Sequence, residues 1–175
     1  MHTFKLSPRQ IQQVYDKTDH YIQFANLKLS LQLSDIAVKF DLKGRTSGMF
    51  VVKHNEMYIR YNEVIFSRYF EDNLVNTVAH EVAHYVVHGM YGLRKVKPHG
   101  QEWKQVMRLF DVKPEVTSQY DVSMLPLHRQ KLHNYSCACM THQLSTTRHN
   151  KVQKNRAVYK CRKCLQPLRW KSLSL

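Results

Sequence analysis

The feature that most constrains this chain is a helical segment, apolar over most of its surface, that carries two histidines and a glutamate at close spacing. From about Glu71 to Gly89 the apolar residues follow a helical pattern with little polar surface, and such a helix is usually buried. Within it lie His80, Glu81 and His84, which are costly to bury unless they bind a ligand or one another. The chain must therefore cover this helix and satisfy the two histidines and the glutamate together.

The spacing His80-Glu81-x-x-His84 is that of a zinc site on a helix. Four residues along a helix rise about 6 Å and make just over one turn, so both imidazoles project from one face and can share an ion. Glu81 lies beside them, where it can take a proton from a water acidified by the metal and pass it to a leaving amine. The pattern predicts a zinc metallopeptidase with His80 and His84 as ligands and Glu81 as general base.

A catalytic zinc site needs a third protein ligand, and spacing alone leaves two candidates. His99 follows a loop, Met90–Pro98, that can fold it back beneath the first helix, whereas Glu102 suits a site completed by a glutamate from a second helix. His88 continues the i, i+4, i+8 series, but it lies about 12 Å from His80 along the helix axis. We therefore interpret His88 as a structural residue or one that supports a ligand.

A second candidate metal site lies in the C-terminal third, which holds all four cysteines. Two close thiolate pairs can complete a tetrahedral zinc site with no open position, and such a site stabilises a module too small for its own core. Because the first pair has only one intervening residue, His142 or His149 could replace one sulfur. Free thiols and a redox pair are the alternatives. The candidate ligands are Cys137, Cys139, Cys161 and Cys164.

The basic residues are concentrated in the same third of the chain. The formal net charge is +14, and after Asp121 there are eleven Lys or Arg residues but no Asp or Glu. A concentrated positive field indicates a polyanionic partner, and aromatic residues interleaved with the basic ones suit nucleic acid. We expect the basic module to bind DNA, although a solubilising surface or a surface that docks protein substrates is the alternative.

The remaining patterns predict alternating helices and short strands. Ser7, Pro8 and Gln10 favour the start of a helix that runs to Leu29. A strand is predicted at 36–40, a hairpin at 49–53 and 57–61, and a second helix from 99 or 100 to 110. The C-terminal module is predicted to contain short strand-like segments at 135–139, 143–149, 157–164 and 166–170.

No segment predicts a membrane span or a secretory signal. No apolar run approaches the ~18 residues that a membrane helix needs. The first ten residues have neither an apolar h-region nor a small-residue cleavage site. We therefore expect a cytoplasmic protein without a membrane partner.

Taken together, these motifs resemble the SprT family of zinc metallopeptidases, which includes the eukaryotic protease Spartan. The resemblance extends from about Ser7 to Trp170, and its ordered set of motifs is more specific than any one of them. The matching stretches are Asn76-Thr-Val-Ala-His-Glu-Val-Ala-His84, His99-Gly-Gln-Glu-Trp103, Tyr135-Ser-Cys-Ala-Cys139, Leu144-Ser-Thr-Thr-Arg-His-Asn150 and Tyr159-Lys-Cys-Arg-Lys-Cys164.

The resemblance implies a fold, a third ligand and a substrate class. It implies an α+β, minigluzincin-like peptidase domain over residues 1–120, with helices packed on a small antiparallel sheet. A linker at 121–134 and a basic zinc ribbon at 135–175 would follow. His99 would be the third ligand of the catalytic zinc, and the cysteines would hold a structural zinc. The substrates would be proteins on or near DNA, such as DNA–protein crosslinks.

Two other functions remain open at this stage. The chain could be a non-enzymatic DNA-binding protein with two structural zinc ions. It could also be a peptidase without a nucleic-acid role, in which the basic module serves folding or substrate docking.

Overall fold

The computed structural model describes residues 4–54, 56–92, 95–117, 120–122 and 131–170. The chain divides into two compact units, Met1–Leu127 and His128–Leu175. Residues 123–130 of the predicted linker, Asn55 of the predicted hairpin and residues 93–94 of the predicted loop lie outside the described part. Within the described ranges, no helix combines the length and the apolar character needed to cross a membrane.

The first unit begins with a long helix whose start is fixed by local hydrogen bonds. Helix α1 spans Pro8–Leu29, as predicted. The Gln10 amide donates to the Ser7 hydroxyl at 3.3 Å, and the Ser7 amide donates to the Gln10 side chain at 2.9 Å. This reciprocal pair is a capping box, which satisfies amides that the first helical turn leaves without partners. Val14 and Ile22 lie on the buried face of α1.

Three strands form the sheet of the first unit, in the order β1-β3-β2. They are β1 at Ala37–Lys39, β2 at Gly48–Lys53 and β3 at Glu56–Tyr61. The predicted hairpin is confirmed, since β2 and β3 pair antiparallel. The prediction of an antiparallel sheet is wrong for β1, which pairs parallel with β3. The chain reverses between β1 and β2 and again between β2 and β3, so β1 and β3 run in the same direction. In the order β1-β3-β2, strand β2 lies at an edge of the sheet.

The apolar helix that carries the two histidines is interrupted. Helix α2 at Glu63–Arg68, which the sequence analysis did not predict, is followed by α3 at Phe70–Asp72, a π-helical segment at Asn73–Thr77 and helix α4 at Val78–Tyr91. The prediction of one helix from about 71 to 89 is therefore correct in position but wrong in continuity. Helix α4 ends at Tyr91, and Gly92 follows it with a φ of 74°, a conformation that favours glycine.

The π-helical segment is held together by buried side chains. The Thr77 hydroxyl donates to the side-chain oxygen of Asn73 at 2.7 Å, and the Asn73 amide group donates to the carbonyl of Tyr69 at 2.8 Å. These bonds replace part of the ordinary helical pattern with a wider turn, a feature that often lies near functional sites. Thr77 and, one helical turn later, His80 both line a cleft in the first unit.

Helix α4 is at the centre of the hydrophobic core. Val78, Val82 and Val86 are fully buried, and the core extends to α1, β3 and helix α5 at Gln101–Leu109. The predicted burial of the apolar helix is thus confirmed. Because its neighbours cover α4 so completely, its position within the unit is fixed by packing.

The described residues of the second unit, 131–170, form a small sheet and one helix. The sheet has the order β5-β4-β6, with β4 at Leu132–Ser136, β5 at Thr141–Ser145 and β6 at Arg169–Trp170, and helix α6 spans Thr146–Gln153. The strand-like interpretation of 143–149 is wrong beyond Ser145, because the Ser145 hydroxyl accepts from the Arg148 amide and begins a helix. The segment predicted at 157–164 makes one isolated bridge, between Lys160 and Pro167. With helices and small sheets in both units, the chain is α+β.

Candidate metal centres

Helix α4 and the turn before α5 bring three histidines together. His80 and His84 lie one helical turn apart, and their Nε2 atoms are 3.2 Å apart. The Nε2 atom of His99 is 3.0 Å from each of the other two. Glu102, the alternative third ligand, is not part of this group. The structure therefore places His99, of the two candidates, at the centre.

The three nitrogen atoms fit the donor set of a zinc ion. Donors at ~2.0–2.1 Å from one tetrahedral ion lie about 3.3 Å from one another, and the observed distances are close to this value. Three imidazole lone pairs facing each other repel unless a cation or a proton lies among them. Catalytic zinc sites use three protein ligands and structural sites use four, so the number of donors here is that of a catalytic site.

Trp103 packs against all three imidazoles and fixes their arrangement. Its ring centroid is 4.7 Å from those of His80 and His99 and 5.7 Å from that of His84, and the side chain is buried. Its Nε1–H donates to the backbone carbonyl of His80 at 3.3 Å. His99 has a φ of 58°, a left-handed conformation that non-glycine residues seldom adopt. The backbone is therefore strained at His99, where the chain turns toward α4.

Burial keeps the histidines neutral, which is the form that binds metals. It lowers the pKa of His84 to about 3, and the neighbouring His80 and His99 add to the effect. Burial, followed by the proximity of His99, lowers the pKa of His80 to about 4, although a hydrogen bond to the backbone carbonyl of Glu115 acts in the opposite direction. Burial also lowers the pKa of His99.

Glu81 lies almost entirely out of solvent beside the histidines. Its side chain is 5% exposed, and its Oε2 accepts a 2.7 Å hydrogen bond from the backbone amide of Phe50 on β2. Burial raises the pKa of Glu81 to about 8, and the bond from Phe50 acts against this rise. A buried carboxyl group with a strongly shifted pKa next to a cluster of potential metal ligands marks a candidate reaction centre.

His80 and Glu81 line a cleft of about 780 Å³. One wall comes from the segment just before and at the start of β2, and from α3 and the π-helical segment. Lys113, Glu115, Val116, Thr117 and Tyr120 also line the cleft. The lining residues outside the histidine–glutamate pair include Arg45, Ser47, Gly48, Asp72, Thr77, Glu115 and Tyr120.

The second unit brings the four cysteines together. Their sulfur atoms all lie within 4.8 Å of one another. The sulfur of Cys139 is 3.5 Å from that of Cys137 and 3.7 Å from that of Cys161. Hydrogen bonds with the neighbouring thiols of Cys164 and Cys137 raise the pKa of Cys139, whereas backbone hydrogen bonds lower the pKa of Cys161. The donor set is compatible with a four-cysteine zinc site.

The two histidines considered as replacements for a sulfur have different surroundings. The Nε2 atom of His142 is 3.3 Å from the sulfur of Cys137. His149 is buried, its Nδ1 pairs with the hydroxyl of Tyr135 at 3.0 Å, and its ring stacks on His133 at 3.8 Å. His142 is therefore next to the thiols, whereas His149 is part of the packing of the second unit.

Sequence reasoning missed two backbone contributions to the first centre. They are the amide of Phe50 and the close approach of Gly48 to Glu81. Main-chain groups are present at every residue and so leave no signal in the sequence. His88, in contrast, packs with its ring centroid 5.7 Å from that of Phe50 and takes no part in the histidine cluster, as predicted.

Curated bacterial proteins are similar to this chain over most of its length. The chain is 35% identical to "Protein SprT" of Pasteurella multocida over 87% of its own length and 88% of that protein. It is also 35% identical to "Protein SprT" of Vibrio atlanticus over 93% of its own length and 94% of that protein. No solved structure matches the chain significantly.

The family model matches the part of the chain that holds the histidine centre. The SprT-like family model covers residues 11–123, which include α4, the turn to α5 and the cleft. The curated relatives extend the similarity into the second unit. The chain therefore belongs to the SprT-like family.

Proposed function

We propose that this chain is a zinc-dependent endopeptidase that acts on proteins on or near DNA. In this proposal His80, His84 and His99 hold the catalytic zinc, and Glu81 is the general base and then the general acid. The observation that carries the proposal is the meeting of three imidazole Nε2 atoms within 3.2 Å of one another, beside a buried carboxyl group that lines a cleft.

In this proposal the groups of the centre have separate roles in peptide hydrolysis. A bound zinc ion supplies Lewis acidity, which acidifies a water and polarises the scissile carbonyl. Glu81 accepts the proton of the attacking water and then donates it to the nitrogen of the departing amine. Trp103 packs against the imidazoles and donates its Nε1–H to the backbone carbonyl of His80, which holds the rings in place.

The surroundings of Glu81 suit this role once the histidines hold a cation. In the metal-free centre burial favours the neutral carboxyl group and raises its pKa to about 8. A divalent charge nearby favours the ionised form, as does the hydrogen bond from the Phe50 amide. The carboxylate would then be ready to accept a proton at neutral pH.

The second unit supports a nucleic-acid role. All nine Lys and Arg residues between 131 and 170 are exposed, and that range contains no acidic residue. A surface of one sign is suited to a phosphate backbone. In the proposal the four cysteines bind a structural zinc, residues 135–175 form the ribbon that holds DNA, and residues 1–120 form the peptidase domain. The family resemblance adds DNA–protein crosslinks as the substrate class.

The replacement Glu81→Gln tests the proposal directly. It keeps the size of the side chain and removes the group that accepts a proton, so proteolysis of casein and of a DNA-bound protein is expected to fall by at least about 100-fold. Zinc content, measured by elemental analysis, is expected to stay unchanged because the histidines remain. Glu71→Gln, at an exposed position on α3, makes the same chemical change outside the cleft and serves as the control.

The same experiment separates the proposal from its main rival. If wild type and Glu81→Gln degrade both substrates equally well, the observed proteolysis does not come from this centre. The chain would then be a zinc-containing DNA-binding protein without enzymatic activity.

A further inference from the structure

We infer that Gly48 is a positioning residue, which together with the backbone amide of Phe50 holds the Glu81 carboxylate in its working orientation. The inference rests on the proposed function, because it assigns the orientation of the proposed base. It adds a residue that neither the histidine–glutamate motif nor the metal-ligand set contains.

The closeness of Gly48 to Glu81 leaves no room for a side chain. A Cβ atom at position 48 would lie 2.7 Å from Cγ and 2.8 Å from Oε1 of Glu81, and 2.8 Å from Cγ2 of Thr77. All three distances are shorter than real Cβ contacts, so a neighbour would have to shift. Gly48 is buried, and the free space nearest to it is the cleft that Thr77 and Glu81 also line, so a displaced side chain would move toward that cleft.

The Phe50 amide also contacts the Glu81 carboxylate, through a hydrogen bond. Strand β2 is an edge strand, and Phe50 donates its N–H to Oε2 of Glu81 at 2.7 Å. The Phe50 ring packs between Tyr85 and His88 of α4, with centroid distances of 5.8 and 5.7 Å. Residues 48 and 50 therefore contact α4 along one face, and the packing of Phe50 holds the strand at a fixed distance from Glu81.

Because β2 is held from both sides, an added methyl group would act mainly on Glu81. The pairing of Gly48 with Tyr61 fixes β2 against β3, and the Phe50 ring fixes it against α4. Thr77 is tied to Asn73 by its hydroxyl group. The Glu81 side chain is the neighbour with the most freedom to rotate, and rotation would break its bond to the Phe50 amide.

The first test is the kinetics of the zinc-loaded Gly48→Ala variant. Its kcat for a peptide substrate is expected to fall by about 10- to 100-fold, because displacements near 1 Å in a catalytic constellation have such effects. KM and bound zinc are expected to stay within about twofold of wild type, since the histidines are untouched. A normal kcat, or a loss of zinc that accounts for the lower rate, would overturn the inference.

Gly44→Ala is the matched control for these kinetics. Gly44 lies in the same segment before β2, and a Cβ there would meet nothing within 4 Å, although its φ of 94° strains any other residue. This variant is expected to lower stability and leave kcat within about twofold of wild type. An equal fall in kcat for both variants would assign the effect to the segment as a whole and contradict a specific contact with Glu81.

A double-mutant cycle tests the contact without any activity measurement. Gly48→Ala is expected to lower Tm in the wild-type background and to lower it by less than about half as much in a Glu81→Ala background, where two of the three close contacts are gone. An equal loss in both backgrounds would overturn the inference. If Gly48→Ala alone does not fold, folding of the double variant supports the contact, and failure of both contradicts it.

The cycle also keeps this inference distinct from the proposed function. If Glu81→Gln retains full activity, the proposed chemistry fails, yet the coupling between positions 48 and 81 is still measured. If the coupling is absent while Glu81→Gln is inactive, the chemistry stands and the role of Gly48 fails.

Discussion

The ionisable residues of the histidine centre respond to pH in opposite directions. The pKa values of His80 and His84 fall from 6.5 to about 4 and about 3, so the unfolded chain binds more protons than the folded one at pH values between these limits. Their contribution to stability is complete above pH 6.5 and is lost as the pH falls. The pKa of Glu81 rises from 4.5 to about 8, so its contribution is complete below pH 4.5 and is lost as the pH rises to 8.

These signs predict that the combined contribution of His80, His84 and Glu81 to the stability of the metal-free first unit is greatest near pH 6.5. Above that pH the two histidines are neutral in both states, and Glu81 alone of the three continues to lower the free energy of unfolding until about pH 8. The variant Glu81→Gln is expected to lack this decline. Urea unfolding in a Trp170→Phe background measures it, because Trp103 is then the only tryptophan of the chain.

The comparison of wild type with Glu81→Gln serves as its own control, since all other titrating groups are common to both proteins. The same decline from pH 6.5 to 8 in both would show that the carboxyl group at position 81 titrates normally in the folded state.

At the scale of elements, helices α4 and α5 form the frame of the histidine centre. Helix α4 supplies His80 and His84, and the turn before α5 supplies His99. Trp103, in the first turn of α5, packs against all three rings and joins the two helices through its bond to the His80 carbonyl. The geometry of the ligands therefore depends on the packing between these helices as well as on the ligands themselves.

Removing the Trp103 ring is expected to weaken both folding and metal binding. Trp103→Ala should lower the free energy of unfolding by about 3–5 kcal/mol, because it empties a buried site. It should also lower zinc affinity by about 10- to 100-fold, as is typical for groups that support metal ligands. Circular dichroism during urea unfolding measures the first effect, and competition with a zinc chelator measures the second.

Trp103→Phe separates ring packing from the hydrogen bond. It retains an aromatic ring beneath the imidazoles but lacks the N–H that reaches the His80 carbonyl. Zinc affinity close to that of wild type is expected. If the phenylalanine variant loses as much affinity as the alanine variant, the hydrogen bond, and not the packing, supports the ligands.

The elements that follow from local patterns were predicted well. The capping box of Ser7 and Gln10 correctly places the start of α1, and strong β propensity on both sides of a turn predicts the β2–β3 hairpin. The i, i+4 spacing on an apolar helix is sufficient to place His80 beside His84, because helix geometry alone determines that distance. These features depend on residues close to one another in the sequence.

The features that the patterns could not supply depend on tertiary contacts or on the main chain. The choice between His99 and Glu102 depends on a left-handed residue and on packing against Trp103, which spacing does not encode. The π-helical segment depends on the buried side chain of Asn73, and α6 depends on the cap at Ser145, within a segment read as strand-like. The direction of β1 follows from the connection to the edge strand.

At the scale of the whole molecule, the two units differ in charge and in donor type. The first unit contains the nitrogen donors and every acidic residue of the chain, whereas the second contains the sulfur donors and only basic charges. In α6, His149 is buried, whereas Arg148 and Lys151 are exposed to solvent. These differences suit one unit for the proposed chemistry and the other for binding a polyanion.

The exposed charges of α6 predict a change in the salt dependence of DNA binding. If both residues contact phosphates of double-stranded DNA, Arg148→Ala combined with Lys151→Ala should make the slope of log K against log salt shallower by about 1.8, since each phosphate contact contributes about 0.9. Fluorescence anisotropy over a salt series measures the slope.

The pair Lys5→Ala and Arg9→Ala removes the same charge from exposed positions of the first unit. This control is expected to keep the wild-type slope. No DNA binding at low salt, or a wild-type slope that is already flat, would exclude the nucleic-acid role and favour a peptidase whose basic unit serves another purpose.

The hydrogen bond from residue 50 to Glu81 has a consequence for how the gene can vary. Every amino acid except proline carries the donating N–H, so drift in codon 50 leaves the bond intact as long as an apolar side chain still fills the space beside α4. Codon 48 has no such latitude, because any side chain there would enter the space of the carboxylate. Codon 48 is therefore more tightly constrained than codon 50, although both residues contact the same Glu81 carboxylate.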